Sequence, residues 1–282
     1  MAKAQLTDAQ IKAQIIARAQ SARKSEPNSE ALFPTEIVPL PSKGLVYPLD
    51  NPLSAGQVEI RYMTAKDEDI LTNTNYLKQG IALDKLYDSI VIGNGHGQSV
   101  NLHDMITGDR SAIMLAARVL GYGSDYQITV THPDTDKKIP HMVDLNVLKP
   151  RVIDDSIFNN SREFEFELPV SKKLVTFKLQ TTVEEKAIAR SIANQRKAGD
   201  QPRNTTTLLK ALLISIDGEE DQSAINNFVD NHLLAKDSLM LRKRIIEVTR
   251  DYDLTITVDI PSEDFYEVLS LPIDVDFFWP RV

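Results

Sequence analysis

Apolar positions along the chain change period several times, and each change marks a predicted element. After Thr7, which can cap a helix with Gln10 at the capping-box position, Ile11, Ile15, Ile16 and Ala19 repeat at helical spacing. Residues Ser21 to Glu30 are too polar to bury much area and read as a linker, so the first 36 residues predict a tethered helix. Pro34, Pro39, Pro41, Pro48 and Pro52 then remove backbone donors and restrict their neighbours, which predicts an extended surface segment with a turn at Ser42, Lys43 and Gly44. Val58, Ile60 and Tyr62 alternate as a strand. Thr64 with Asp67 and Glu68 opens a helix by capping its N–H groups and placing carboxylates at the positive end of the dipole. Val175, Phe177 and Leu179, followed by Thr181, Thr182, Glu184 and Glu185, repeat that logic.

Helical runs follow in both regions. Ile81, Leu83, Leu86 and Ile90 lead into a loop, and Asp109 then precedes Ile113 to Leu120. In the second region Leu208 to Ile216 lead into Asp217 and Gly218, and Asp237 precedes Leu239 to Val248. Two or three helices per region is the economical expectation. Strands are predicted at Tyr126 to Thr131 and Tyr252 to Val258, and the first turns through Pro133 to Asp136 into Ile139 to Leu145 as a hairpin.

The two regions also share residues. Met114, Leu115, Arg118, Asp125, Tyr126, Thr129 and Thr131 match Met240, Leu241, Arg244, Asp251, Tyr252, Thr255 and Thr257 at a constant offset of 126. Composition alone would give roughly one identity in such a window. Val58, Arg61, Thr64 and Glu68 match Val175, Lys178, Thr181 and Glu185 at an offset of 117, with the polar run Asn194 to Asn204 as the expected insertion. One supersecondary unit copied twice accounts for both matches. The expected fold class is therefore α+β: two tandem related units over residues 37–160 and 161–282, each a small antiparallel sheet with a helical layer, behind an N-terminal helical arm over residues 1–36.

Composition narrows the class of function. With 32 Lys and Arg against 40 Asp and Glu the net charge is −8, which argues against a general nucleic-acid binder, since counterion release needs a clustered positive surface. Absence of cysteine excludes disulfides, thiolate zinc sites and cysteine nucleophiles. No apolar run is long enough to span a membrane, and the N-terminus lacks the apolar core of a secretory signal, so a soluble chain, not exported by a signal of its own, is expected.

Candidate chemistry is sparse. Gly93-Asn94-Gly95-His96-Gly97 follows a predicted helix, whereas a dinucleotide fingerprint follows a strand, so it reads as a loop. His96, His103, His132, His141 and His232 include no helical ligand pair. Asp67, Glu68 and Asp69 are explained by helix-start charge, and Asp154 and Asp155 by a solvated interdomain stretch. Lys236, Arg242, Lys243 and Arg244 form a local basic cluster, an exposed helix face whose rival reading is a nucleic-acid contact. No catalytic, cofactor or metal residue is assigned. The tail from Leu271, with Phe277, Phe278 and Trp279 among acidic residues, is expected to dock on its own fold.

The strings LPSKGLVYP from Leu40, VEIRYMTAKDEDIL from Val58, GIALDKLYDSIV from Gly80 and GDRSAIMLAARVLGYGSDY from Gly108 resemble, in order and spacing, the baseplate hub assembly proteins of contractile-tailed bacteriophages of the T-even type. The resemblance covers about Leu40 to Leu145 and extends weakly from Pro169 to Ala189. It implies a non-enzymatic role in building the central hub, as assembly chaperone or hub subunit, with other tail proteins as partners and neither membrane nor small molecule involved. It also implies a location in the host cytoplasm during assembly or in the tail baseplate. Relatives carry a Cys-Pro-x-x-Cys style turn after the GYGSDY region, suggestive of zinc; this chain has Thr131-His132-Pro133-Asp134-Thr135 there, so no metal is assigned.

Overall fold

Five strand residues of a TEIVP run meet the alternating QVEIR run across a long, proline-rich connection, and this pairing starts the fold. The computed structural model describes residues 33–132, 135–260, 265–271 and 275–278. The helix expected from Thr7, the turn at Pro133 and Asp134, and Trp279 lie outside the described residues. Strands β1 (Thr35–Pro39), β2 (Gln57–Arg61) and β3 (Val91–Gly93) form an antiparallel sheet in that order. Helices α1 (Ala65–Thr72), α2 (Thr74–Gln79) and α3 (Ala82–Ile90) connect β2 to β3. Helix α4 (Thr107–Tyr122) then leads into the hairpin of β4 (Asp125–Thr131) and β5 (Lys138–Asp144).

The second half runs through the same order. Strands β6 (Glu163–Glu167), β7 (Leu174–Lys178) and β8 (Leu213–Ile216) form its antiparallel sheet. Helices α5 (Thr182–Lys197) and α6 (Asn204–Leu212) lie between β7 and β8, and α7 (Gln222–Asn231) and α8 (Ala235–Val248) follow. A hairpin of β9 (Thr255–Ile260) and β10 (Phe265–Ser270) closes the half. Both three-stranded sheets shift register one residue past the fully buried valine of the central strand, after Glu59 in β2 and after Thr176 in β7. Buried apolar residues from both halves make one continuous core.

Three features differ from expectation. Strands β3 and β8 replace a predicted loop and the end of a predicted helix. Each follows its helix with no intervening residue, since Val91 and Leu213 turn extended while the apolar run continues, and periodicity offers no boundary there. Among the described residues each half holds four α-helices, partly because Asn73 both ends α1 and caps α2. Finally, β9 starts at Thr255, and Asp251 and Tyr252 lie in the connection before it, where Tyr252 bridges Pro150; Asp125 and Tyr126 begin β4. Leu145 N donates to Ser124 O and Leu271 N to Leu254 O, so the hairpins close on Ser124 and Leu254, whereas the offset of 126 sets Ser124 against Arg250.

The tail docks on its own fold. The 3-10 turn Val275–Phe278 packs against α4, Phe277 and Phe278 are buried, and the Phe277 ring centroid lies 5.1 Å from that of Tyr126.

Candidate interaction surfaces

In each half, the connection between the first two strands is clamped by an aspartate in the first turn of a later helix. The β1–β2 connection turns at Lys43 and Gly44, both at positive φ, and a Cβ on Gly44 would fall 2.3 Å from Ser54 O. Asp109, third residue of α4, accepts from Ser42 N at 3.0 Å, Ser42 Oγ at 2.7 Å and Tyr47 Oη at 2.6 Å. Tyr47 Oη accepts in turn from Ile106 N at 3.0 Å. Burial pushes the Asp109 carboxyl up to about 6 even though these donors favour its charge. Asp237, third residue of α8, accepts from Val170 N at 2.8 Å and Ser171 N at 3.0 Å in the β6–β7 connection. Ser42 and Asp109 are 67 positions apart, as are Val170 and Asp237.

The strand-to-helix corners also correspond. Asp67 accepts from Thr64 N and Oγ1, from Ser89 Oγ at 2.7 Å and from both terminal nitrogens of Arg61 at 2.8 Å. Burial would raise its pKa, but these donors outweigh burial and hold it at about 2. Glu184 accepts from Thr181 N and Oγ1 and pairs with Lys178 at 2.8 Å and Arg162 at 3.1 Å. It too is held at about 2 against its burial. Of the carboxylates read as helix-start charge, Asp67 is thus spent on local structure, and Glu68 accepts from Tyr122 Oη at 2.6 Å.

Between the halves, the start of α4 meets the end of β7. Ile106 bridges Thr181, Thr107 N donates to Gln180 O at 3.1 Å, and Thr182 Oγ1 donates to Leu102 O at 3.3 Å. Arg110 reaches Glu185 at 2.6 Å and Asp84 at 3.3 Å, and Lys186 pairs with Asp84 at 2.8 Å. Gly108 touches the second half so closely that a Cβ would sit 1.8 Å from Arg250 O. Buried Arg250 stacks on Phe158, 4.5 Å from its ring centroid, and pairs with Asp155, which also holds Lys43 at 2.8 Å. Asp155 is half exposed, in keeping with its expected solvation, and also ties Lys43 to Arg250 across the seam. Asp154 caps its own short turn by accepting from Ser156 N.

The remaining candidates disperse. Asn94 Oδ1 accepts from His96 N and Gln98 N, and Asn94 N donates to Gln98 O, so two N–H groups of the glycine loop are already used. Among the described residues no three His, Asp or Glu side chains are placed to hold a metal ion, and no helix is long and apolar enough to cross a membrane. Along α8, Arg244 lies 3.6 Å from Glu247 and Arg242 Nε donates to Ser238 O, which spreads the basic cluster around the helix. An open cleft of about 340 Å³ lies over the seam beside Tyr47, Asp104, Arg162 and Glu163, and Glu184, the buried carboxylate of its lining, is already paired.

Caps, clamps and seam contacts of this kind hold together an α+β fold of helices and small antiparallel sheets, and the sequence comparison says where such a chain belongs. The family described as T4 bacteriophage base plate protein matches residues 40–194, more than half of the chain, and the chain belongs to that family. It is a bacteriophage baseplate protein, and its partners are other baseplate proteins. No curated protein and no solved structure matches the chain. The matched region runs from the clamped loop to within α5, so it spans the first half and the corner of the second.

Proposed function

We propose that the chain works without chemistry of its own in assembling the central hub of the baseplate, as an assembly factor or hub subunit, through two related α+β units at residues 37–160 and 161–282. The carrying observation is the recurrence of one clamp, Ser42 N to Asp109 and Val170 N to Asp237, at equal separation in both halves. Equal corners at Asp67 and Glu184 support the same duplication. Such a chain offers partners two similar but non-identical faces, so one molecule can hold two neighbours in fixed relation. It acts in the host cytoplasm while the hub is built and is carried into the tail if it is a subunit. Quantitative mass spectrometry of purified virions separates the two roles: a subunit is recovered in fixed ratio to other baseplate proteins and an assembly factor is absent. If deleting the gene leaves baseplates of normal composition and number, the proposal fails.

A further inference from the structure

The start of α4 violates a local rule, and so does the start of α8. An N-cap favours Ser, Thr, Asp or Asn, whose side chain accepts from the free N–H groups of the first turn. Ile106 occupies that position in α4 and Leu234 in α8, and neither side chain makes a cap. In α4 the reason is visible. Ile106 is 1% exposed because it packs on the second half, bridging Thr181, and the uncapped Thr107 N–H finds its acceptor in Gln180 O. In α8 no such contact is made among the described residues. Leu234 is 47% exposed, Leu239 on the next turn is 44% exposed, and Ala235 N–H meets no acceptor among the described residues.

The other side of that contact has an open counterpart as well. Thr182, first residue of α5, is 2% exposed because the first half covers it. Ala65, first residue of α1 at the corresponding corner, is exposed, and Met63 O, which stands where Gln180 O does, accepts nothing among the described residues. The chain therefore carries one closed contact and the two unlike halves of a second.

We propose that the α8 start around Leu234 and Leu239 docks on the Met63–Ala65 corner of a second copy of this chain, repeating head to tail the contact that joins its own halves. This rests on the two-unit reading above. A second copy is the occupant because the surface that fits Ile106 and Thr107 is a strand-to-helix corner of this fold, and the open corner of the same kind is on the same molecule. Ser238 stands where Arg110 makes its ion pair with Glu185, so the intermolecular contact lacks that bridge and is the weaker one. A head-to-tail contact is heterologous, which distinguishes it from a symmetric dimer and lets it extend beyond two subunits.

Sedimentation velocity of the full chain over a wide concentration series tests this. The wild type is expected to pass from monomer to dimer and larger species. Leu234→Asp supplies the missing cap while removing the apolar contact, so it should stay folded and monomeric, and Leu234→Ser serves if Asp disturbs the fold. Ala65→Glu adds a charge at an exposed first-turn position and should also be monomeric. Mixed in equal amounts, the two variants retain one intact face each and should form a dimer and nothing larger. A wild type that is monomeric throughout, a Leu234→Asp variant that associates like the wild type, or a mixture that stays monomeric would each overturn the proposal. None of these results touches the hub reading, which the virion measurement decides separately.

Discussion

Asp109 receives three donors in a place from which water is excluded, and the balance between those donors and burial sets its pKa near 6. Its folded pKa lies above the unfolded value of about 4, so it contributes stability that is complete below that value and is lost as pH rises through about 6. Asp67 and Glu184 have the opposite sign: both are held at about 2, so their contribution is present above the unfolded values and is lost as pH falls toward 2. Two substitutions separate the hydrogen bonds from the charge. Asp109→Ala strands Ser42 N and the hydroxyls of Ser42 and Tyr47 without an acceptor, for an expected loss of about 3 kcal/mol or more. Asp109→Asn still accepts from Ser42 N but cannot ionise; urea midpoints measured between pH 4 and pH 7 should lose the wild-type decline on that interval while keeping the acid loss below it. A wild-type stability that rises across that interval would contradict the assignment.

At the scale of elements, strand-to-helix corners were the most legible part of the sequence. Thr64 with Asp67 and Thr181 with Glu184 announce a helix start by residue type and spacing alone, and those bonds form. Strands β3 and β8 were hidden because a helix passes into each without a polar break. The clamps were hidden for a different reason: Asp109 and Asp237 look like ordinary helix-start charges until the distant loops they hold are known. The docking of the aromatic tail followed from composition, and it gives a clean test. Phe277 is buried against Tyr126, so Phe277→Ala should lower stability by about 3 kcal/mol in urea unfolding. Were the tail an interface for another protein, the same variant would unfold at the wild-type midpoint and lose a partner.

For the whole molecule, the match at an offset of 126 pointed to duplication, but hydrogen bonds pair different residues. Arg118 shows the mismatch: it is buried beneath Tyr122 and Tyr126 and donates to Gly123 O at 2.9 Å, whereas Arg244, its partner in that match, is partly exposed beside Glu247. Insertions in the connections move the register of each element separately, so one ungapped offset cannot describe the pair. The dipeptides Leu40-Pro41 and Leu168-Pro169, each just ahead of a clamped loop, were the better landmark. The two halves share a core, and this makes their seam a determinant of global stability. Gly108 is the position at which that dependence can be measured, because its backbone lies against Arg250 O and any Cβ must push the halves apart. Gly108→Ala would stabilise an isolated helix by up to about 1 kcal/mol. Overpacking here meets backbone rather than a flexible side chain, so the net effect should be destabilising by about 3 kcal/mol. The loss should appear as a lower midpoint of a single unfolding transition followed both by circular dichroism and by a probe in the second half. Unfolding in two steps, with the second half keeping its wild-type midpoint, would show that the halves stand independently despite their common core.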